Sequence, residues 1–180
     1  AELTNDDMTI YTTATTQFPK DYRSFNNIAA IHLNNGNVAE AKKWLTKANT
    51  ISANEGPVLE NYGIIAAWEG NIDKAQTLYD QGNASDFNQG ILDIRQGDYK
   101  GAVKKLNGNN YNATLAKIMS GNNVITTTTS ASAHYLNAVS SARSGNNELA
   151  LEYLNKAFKL DANLKSEAKK DIEFSGIIIE

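Results

Sequence analysis

The sequence predicts an all-α solenoid of helical hairpins, because one turn signal recurs along the chain. A glycine followed by Asn or Asp appears five times, with spacings of 34, 27, 24 and 24 residues, at Gly36, Gly70, Gly97, Gly121 and Gly145. Glycine ends a helix in a left-handed conformation, and the polar residue after it can cap the next helix. Hairpins that recur at such a period are typical of helical repeat proteins.

The residues around these turns also repeat in size. The small Ala29 is followed 34 positions later by Gly63, and the large Leu45 by Tyr79. Small residues allow two antiparallel helices to approach closely, while large ones fill the space next to the neighbouring hairpin. We therefore expect all 180 residues to form a single domain of stacked hairpins.

Each predicted element follows from these signals in chain order. The elements are an N-terminal capping helix or half repeat (1–20), repeats at 22–55, 56–84 and 85–109, a degenerate repeat at 110–130, a repeat at 131–161 and a C-terminal capping helix at 162–174. The first helix runs from Leu3 to Phe18, before Pro19. Four threonines follow Ile125, and Thr is a poor helix former, so we expect one short helical turn and then an irregular connection. The last helix, Leu164 to Phe174, would place Ile172 inside.

The repeats at 22–55 and 56–84 resemble tetratricopeptide repeats. The pattern of that family places a bulky residue, a bulky and small pair and an aromatic before the turn, then Ala and an aromatic after it. The resemblance implies a right-handed superhelix of about five hairpins, whose first helices line a concave groove. The shortened middle repeats and the run Lys169 to Phe174 resemble repeat regions of cell-envelope lipoproteins and outer-membrane-associated proteins of the Bacteroidetes, which implies an extracytoplasmic setting.

Composition argues against several kinds of partner. The formal charge is −3, from 17 basic and 20 acidic residues without a basic block, so nucleic acid is not an expected partner. No apolar run approaches the roughly 20 residues that span a bilayer, so we expect no direct membrane insertion by this segment. Because the sequence starts at Ala1 without Met, we expect an upstream signal peptide or domain to have been removed.

The sequence offers little for catalysis. His32 and His134 fall in packed slots on different hairpins, without a second ligand at helical spacing. Asp6 and Asp7 are adjacent and so point to different faces of a helix, where capping explains them better than acid/base chemistry. There is no cysteine, phosphate-binding loop or nucleophile elbow. We therefore predict no enzyme activity, no cofactor and no metal.

The remaining candidate is a partner-binding groove. Its predicted residues, mapped by the family resemblance to the first helices, are Asn27, Asn34, Asn61, Ile64, Trp68 and Arg95. Trp68 beside polar amides has the composition of a binding hot spot, although it could instead be half-buried against the next hairpin.

Two further features of this face leave alternatives open. Asn27, Asn61, Asn88 and Asn112 each stand nine residues before a turn glycine; they could hold a partner's backbone or bridge neighbouring helices. Arg95 and Arg143 are candidates to meet a carboxylate. The paired basic residues of carboxylate-clamp tetratricopeptide domains are missing from the first two repeats, so we do not expect recognition of acidic C-terminal peptides.

We therefore predict a scaffold that binds a peptide or helix of a partner protein. The alternative is a structural spacer or assembly module of a cell-envelope protein, with self-association through Ile177 to Ile179.

Overall fold

Every regular element that the structure describes is a helix. The structure is a computed structural model, and it describes residues 5–180. Leu3, the predicted start of the first helix, lies outside that range. Within it the helices are α1 (Asn5–Gln17), α2 (Tyr22–Asn34), α3 (Val38–Ile51), α4 (Gly56–Trp68), α5 (Ile72–Gly82), α6 (Asp86–Gln96), α7 (Tyr99–Lys105), α8 (Tyr111–Met119), α9 (Ala131–Arg143), α10 (Asn147–Leu160), α11 (Leu164–Ala168) and a 3₁₀ helix (Ile172–Phe174).

The helices group into two compact units, Ala1–Leu92 and Asp93–Glu180. In the first unit, α1 packs against α2, and the pairs α2–α3 and α4–α5 form hairpins. In the second unit, α9–α10 forms a hairpin, and α8 contacts both α7 and α9. Hairpins form because each helix is apolar along one stripe and must bury it against a neighbour.

The turn glycines have the predicted conformation. All five lie at positive φ, between 73° and 99°. In three turns the next residue caps the following helix: the side chains of Asn71, Asp98 and Asn146 accept hydrogen bonds from backbone N–H groups of α5, α7 and α10. α5 ends at Gly82, and the next residue, Asn83, is left-handed at φ 49°.

The interior of each hairpin contains the predicted pair of small and large residues. Ala29 and Leu45 are both fully buried in one core cluster of the first unit. In the next hairpin Gly63 faces Tyr79, and a Cβ atom on Gly63 would lie 2.4 Å from the tyrosine ring. The corresponding pair in the second unit is Ala138 and Leu154, also fully buried. A smaller residue on one helix thus accompanies a larger residue on the other.

The short helical turn predicted before the threonines is wrong, whereas the predicted irregular connection is confirmed. Residues 122–129 contain no helix. Instead the buried Asn137 of α9 binds the backbone of Thr126 twice: its side-chain oxygen accepts from the Thr126 N–H at 2.8 Å, and its amide donates to the Thr126 carbonyl at 2.9 Å. Branching at the β-carbon disfavours a helix here, and Asn137 supplies hydrogen-bond partners to this irregular backbone.

The predicted terminal helix is also shorter than expected. α11 ends at Ala168, and a separate 3₁₀ turn follows, started by Asp171, whose side chain accepts from the Glu173 N–H. Ile172 was predicted to lie inside but is 83% exposed, whereas Phe174 is 2% exposed. The break in the helix rotates the chain, so the larger aromatic side chain enters the core in place of Ile172.

Candidate functional site

The structure places most of the predicted groove residues in one unit. Asn27 and Asn34 lie on α2, and Asn61, Ile64 and Trp68 lie on α4. Arg95 lies at the exposed end of α6 and belongs to the second unit. The candidate surface is therefore the exposed part of α2 and α4 in the first unit.

Trp68 is the main apolar feature of this surface. It is 46% exposed, although it closes a helix whose other side is buried. Ile64, one turn earlier, is partly buried and packs against two core clusters. Asn34 is exposed at the end of α2. The first unit therefore presents an aromatic side chain with an apolar residue behind it and an amide on the neighbouring first helix.

Asn61 connects two helices. It is 9% exposed, and its amide donates a 2.9 Å hydrogen bond to the side-chain oxygen of Asn26, itself buried. A buried hydrogen bond between polar side chains stabilises the approach of α2 and α4, since either group alone would be unsatisfied. The sequence left two interpretations of the recurring asparagines, binding of a partner's backbone and bridging of neighbouring helices. At Asn61 the structure shows bridging.

Glu60 connects α4 to α6 through hydrogen bonds in a similar way. One oxygen of its carboxylate accepts from the Ser85 N–H at 2.9 Å, from the Ser85 hydroxyl at 2.6 Å and from the Asn88 amide at 2.7 Å. Ser85 immediately precedes α6. Asn88 therefore also bridges helices, and Glu60 fixes the start of α6. Nothing in the sequence identified these partners of Glu60.

In the second unit the corresponding face of α9 is covered. The guanidinium of Arg143 donates two hydrogen bonds to the carboxylate of Glu173, Nε to Oε2 at 2.9 Å and Nη2 to Oε1 at 2.5 Å. Arg143, a candidate in the sequence to meet a carboxylate, is thus paired with a carboxylate of its own chain. The Tyr135 hydroxyl donates to Asp171 at 2.8 Å, and the Tyr135 ring meets Phe174 edge to face at 5.4 Å.

These contacts set the chemistry of the covered face. Burial raises the pKa of the Tyr135 hydroxyl well above its usual range, and the hydrogen bond to Asp171 raises it further. The bond to Glu173 raises the pKa of Arg143. At neutral pH this face therefore carries the neutral hydroxyl of Tyr135 and the cationic guanidinium of Arg143. Each of these groups donates to one carboxylate.

The two histidines and the isoleucines of Ile177 to Ile179 are the other residues that the sequence singled out. The His134 ring stacks on Tyr153 at 6.1 Å, and His32 is partly buried on α2. Ile177 and Ile179 pack against the core of their own unit, while Ile178 is 85% exposed. Within residues 5–180, no three His, Cys, Asp or Glu side chains are grouped to hold a metal ion, and none of the described helices has the length and apolar character of a membrane span.

Comparison with known proteins supports the repeat assignment. Two segments, residues 22–55 and 131–164, match the tetratricopeptide repeat model. These segments contain α2–α3 and α9–α10, one hairpin from each unit. Two of the repeats predicted from the turn signals thus match tetratricopeptide repeats, and the predicted all-α fold of helical hairpins is confirmed.

Solved structures show the same fold. YrrB, described as a TPR protein with an unusual peptide-binding site, has a TM-score of 0.60 and 18% identity over 89% of this chain and 98% of its own. The APC/C hetero-tetramer Cut9-Hcn1 has a TM-score of 0.51 and 16% identity, over 88% of this chain and 31% of its own. At these identities the likeness concerns the fold alone. The sequence has no significant match among curated proteins.

Proposed function

We propose that this protein is an interaction scaffold whose α2–α4 face binds an extended segment of a partner protein. The observation that carries the proposal is Trp68, 46% exposed at the end of a first helix with Ile64 behind it. An exposed aromatic side chain in a rigid setting provides a large contact area at a small entropic cost, and such residues dominate binding hot spots. The tetratricopeptide fold and the peptide-binding neighbour YrrB support this class of function.

The predicted groove residues have different roles under this proposal. Trp68 and Ile64 supply the apolar contact, and Asn34 lies exposed at the end of α2. Asn61 acts indirectly, because its amide is used between α2 and α4 and sets the spacing of the two helices. Asn27, partly buried on α2, and Arg95, on α6, complete the predicted set.

The setting of the interaction is also a proposal. The shortened middle repeats resemble those of envelope proteins, and on that resemblance we propose an extracytoplasmic location. Fractionation of source cells with an antibody against this chain tests it. Recovery with periplasmic or envelope markers supports the location, and recovery with cytosolic markers contradicts it.

The binding proposal is tested with a displayed library of random 12-residue peptides, selected on the intact chain. Selected peptides are then titrated against Trp68→Ala and against Phe18→Ala, a control that removes another aromatic, 62% exposed, from the same unit. We expect at least a tenfold loss of affinity for Trp68→Ala, as for a hot-spot residue, and little change for Phe18→Ala. Circular dichroism confirms that both variants are folded.

Two outcomes would contradict the proposal. If the library yields no peptide above background, the α2–α4 face has no affinity for extended segments. If selected peptides bind Trp68→Ala as tightly as the intact chain, the binding surface lies elsewhere.

A further inference from the structure

The C-terminal segment of the chain, residues 171–179, lies against α9 in the manner of a bound peptide. Three of its side chains make specific contacts with α9 or its core: Asp171 with the Tyr135 hydroxyl, Glu173 with the Arg143 guanidinium, and Phe174 with the Tyr135 ring. Ile177 and Ile179 add apolar contacts to the same core. We refer to residues 171–179 as the tail.

The tail covers the face of α9 that corresponds to the face of α4 ending in Trp68. Counted from the turn glycine that follows each helix, Arg143 stands where Trp68 stands, two residues before the glycine, and Val139 stands where Ile64 stands, six residues before it. Tyr135 corresponds to Glu60 in the same way. The position that Trp68 leaves exposed in the first unit is therefore covered by the tail in the second.

The chemistry of this contact is selective. The planar guanidinium of Arg143 pairs with one carboxylate through two parallel hydrogen bonds. Its Nη1 also donates to the Ile118 carbonyl at 3.4 Å, and this contact orients the guanidinium. Tyr135 offers a hydroxyl to a second carboxylate and a ring to an aromatic side chain. The surface therefore fits a segment with two acidic residues, separated by one residue, followed directly by an aromatic residue.

The tail is attached by these side chains rather than by regular structure. Its only helical element is the single 3₁₀ turn Ile172–Phe174. Ile172 and Ile178 are 83% and 85% exposed, so part of the tail projects into solvent. Few backbone hydrogen bonds must break for the tail to leave, and such segments open locally at a smaller free energy than core helices.

Space for an incoming segment lies beside the tail. A cleft of about 380 Å³ adjoins the Tyr135 and Asp171 pair and is also lined by Tyr111, Ser132 and Glu167. Tyr111 is 49% exposed there. A partner segment could therefore contact this part of the second unit before the tail has been displaced.

We propose that the α9 face is a second peptide-binding surface, specific for an acidic and aromatic segment of the pattern Asp-x-Glu-Phe, and that the tail occupies it as an internal competitor. A partner carrying this pattern binds when it displaces the tail. Under the opposing interpretation the tail is a fixed terminal cap, and it leaves α9 only when the whole second unit unfolds.

The probe for this proposal is a fluorescent peptide with the sequence of residues 170–180, titrated against the full chain. The variant Glu173→Ala weakens the tail of the chain itself but leaves the probe intact. We expect the probe to bind Glu173→Ala at least tenfold more tightly than the unaltered chain, because an attached competitor acts at a high effective concentration. Adding Arg143→Ala to this variant should abolish the gain.

Matched controls make the result specific. A probe with the counterparts of Glu173 and Phe174 changed to Gln and Ala should not bind, and Asp171→Asn in the chain should act in the same direction as Glu173→Ala. Glu173 is partly exposed, so these changes are compatible with a folded chain, which circular dichroism confirms.

Hydrogen exchange of the unaltered chain provides the second measurement. We expect the amides of residues 174–179 to exchange at least tenfold faster than those of α9 and α10. Equal protection of the tail and these helices would overturn the proposal. Failure of the probe to bind Glu173→Ala, or equal binding to the unaltered chain or to the variant that also carries Arg143→Ala, would overturn it as well.

Discussion

The α4–α5 and α9–α10 hairpins share one packing pattern but place side chains of different sizes at its two interior positions. In the first, Gly63 leaves space for the ring of Tyr79; in the second, Ala138 accompanies the smaller Leu154. Both solutions bury their large residue almost completely. The difference teaches that the repeat specifies a combined volume across two helices rather than a residue type at each position.

The outer faces of the same two hairpins differ in occupancy. At the end of α4 the exposed residue is Trp68, and at the end of α9 the corresponding residue is Arg143, paired with Glu173. An aromatic side chain can remain exposed until a partner arrives. A guanidinium that is partly buried needs a carboxylate, and the tail supplies one. Equivalent positions thus lead to an open surface in one unit and a covered one in the other.

The largest expected effect comes from a change that crowds the Gly63 and Tyr79 pair. Gly63→Ala places a Cβ atom 2.4 Å from the ring of the buried Tyr79, and we expect a loss of about 3 kcal/mol in the free energy of unfolding, as for a crowded core. The double variant Gly63→Ala, Tyr79→Leu recreates the pair found at Ala138 and Leu154 and should recover most of this loss. Urea unfolding measures both.

The matched change in the other hairpin is Ala138→Gly, which should cost about 1 kcal/mol through helix propensity. If the double variant is no more stable than Gly63→Ala alone, the two hairpins are not interchangeable solutions of one packing problem.

A smaller effect is expected at the irregular connection that distinguishes the second unit. Asn137→Ala removes both hydrogen bonds to the Thr126 backbone, and we expect a loss of about 2 kcal/mol because two polar groups lose their partner. Hydrogen exchange of residues 124–128 should become faster. Asn137→Asp is the control: it retains an acceptor for the Thr126 N–H but cannot donate to the carbonyl, and should rescue only part of the protection. Unchanged exchange in Asn137→Ala would show that the segment is held by other contacts.

The smallest effect concerns the covered face of α9. Tyr135→Phe removes the hydrogen bond to Asp171 and should cost about 1 kcal/mol at pH 7. Above about pH 10 an unfolded tyrosine loses its proton. Folded Tyr135, whose pKa is raised, keeps its proton, so the unfolded state binds fewer protons and stability falls as pH rises.

Phenylalanine cannot titrate, so the stability of Tyr135→Phe should fall less steeply than that of the unaltered chain between pH 10 and 11. Urea unfolding at pH 7 and through that window measures both effects. Parallel slopes for the two proteins would contradict the assignment of Tyr135 as the shifted group.

Local chemistry made the hairpins predictable. Gly36, Gly70 and Gly145 adopt the left-handed conformation that their sequence setting requires, and Asn71 and Asn146 cap the helices that follow. These features depend on a few consecutive residues and on backbone preferences that act over one turn. The interior residues were predictable for the same reason, since helical spacing alone places them on the buried side.

The candidate site was less predictable because its contacts join distant residues. The column of asparagines was visible in the sequence, but the partner of Asn61 is Asn26, which lies outside that column. The threonine segment was expected to be irregular, but the hydrogen bonds that hold it come from Asn137, 11 residues away from Thr126. Such partners depend on how closely two helices approach, and a one-dimensional pattern does not contain that distance.

The sequence by itself determined the all-α fold, the positions of the turns and the buried stripe of each hairpin, because these follow from local backbone preferences and from the helical period. Only the tertiary structure decided which outer faces stay open. The exposure of Trp68 depends on whether any other segment packs on it, and the coverage of Arg143 depends on a break after Ala168 that lets the tail fold back onto α9. Both outcomes depend on long-range packing, in which residues compete for one surface after the helices have formed.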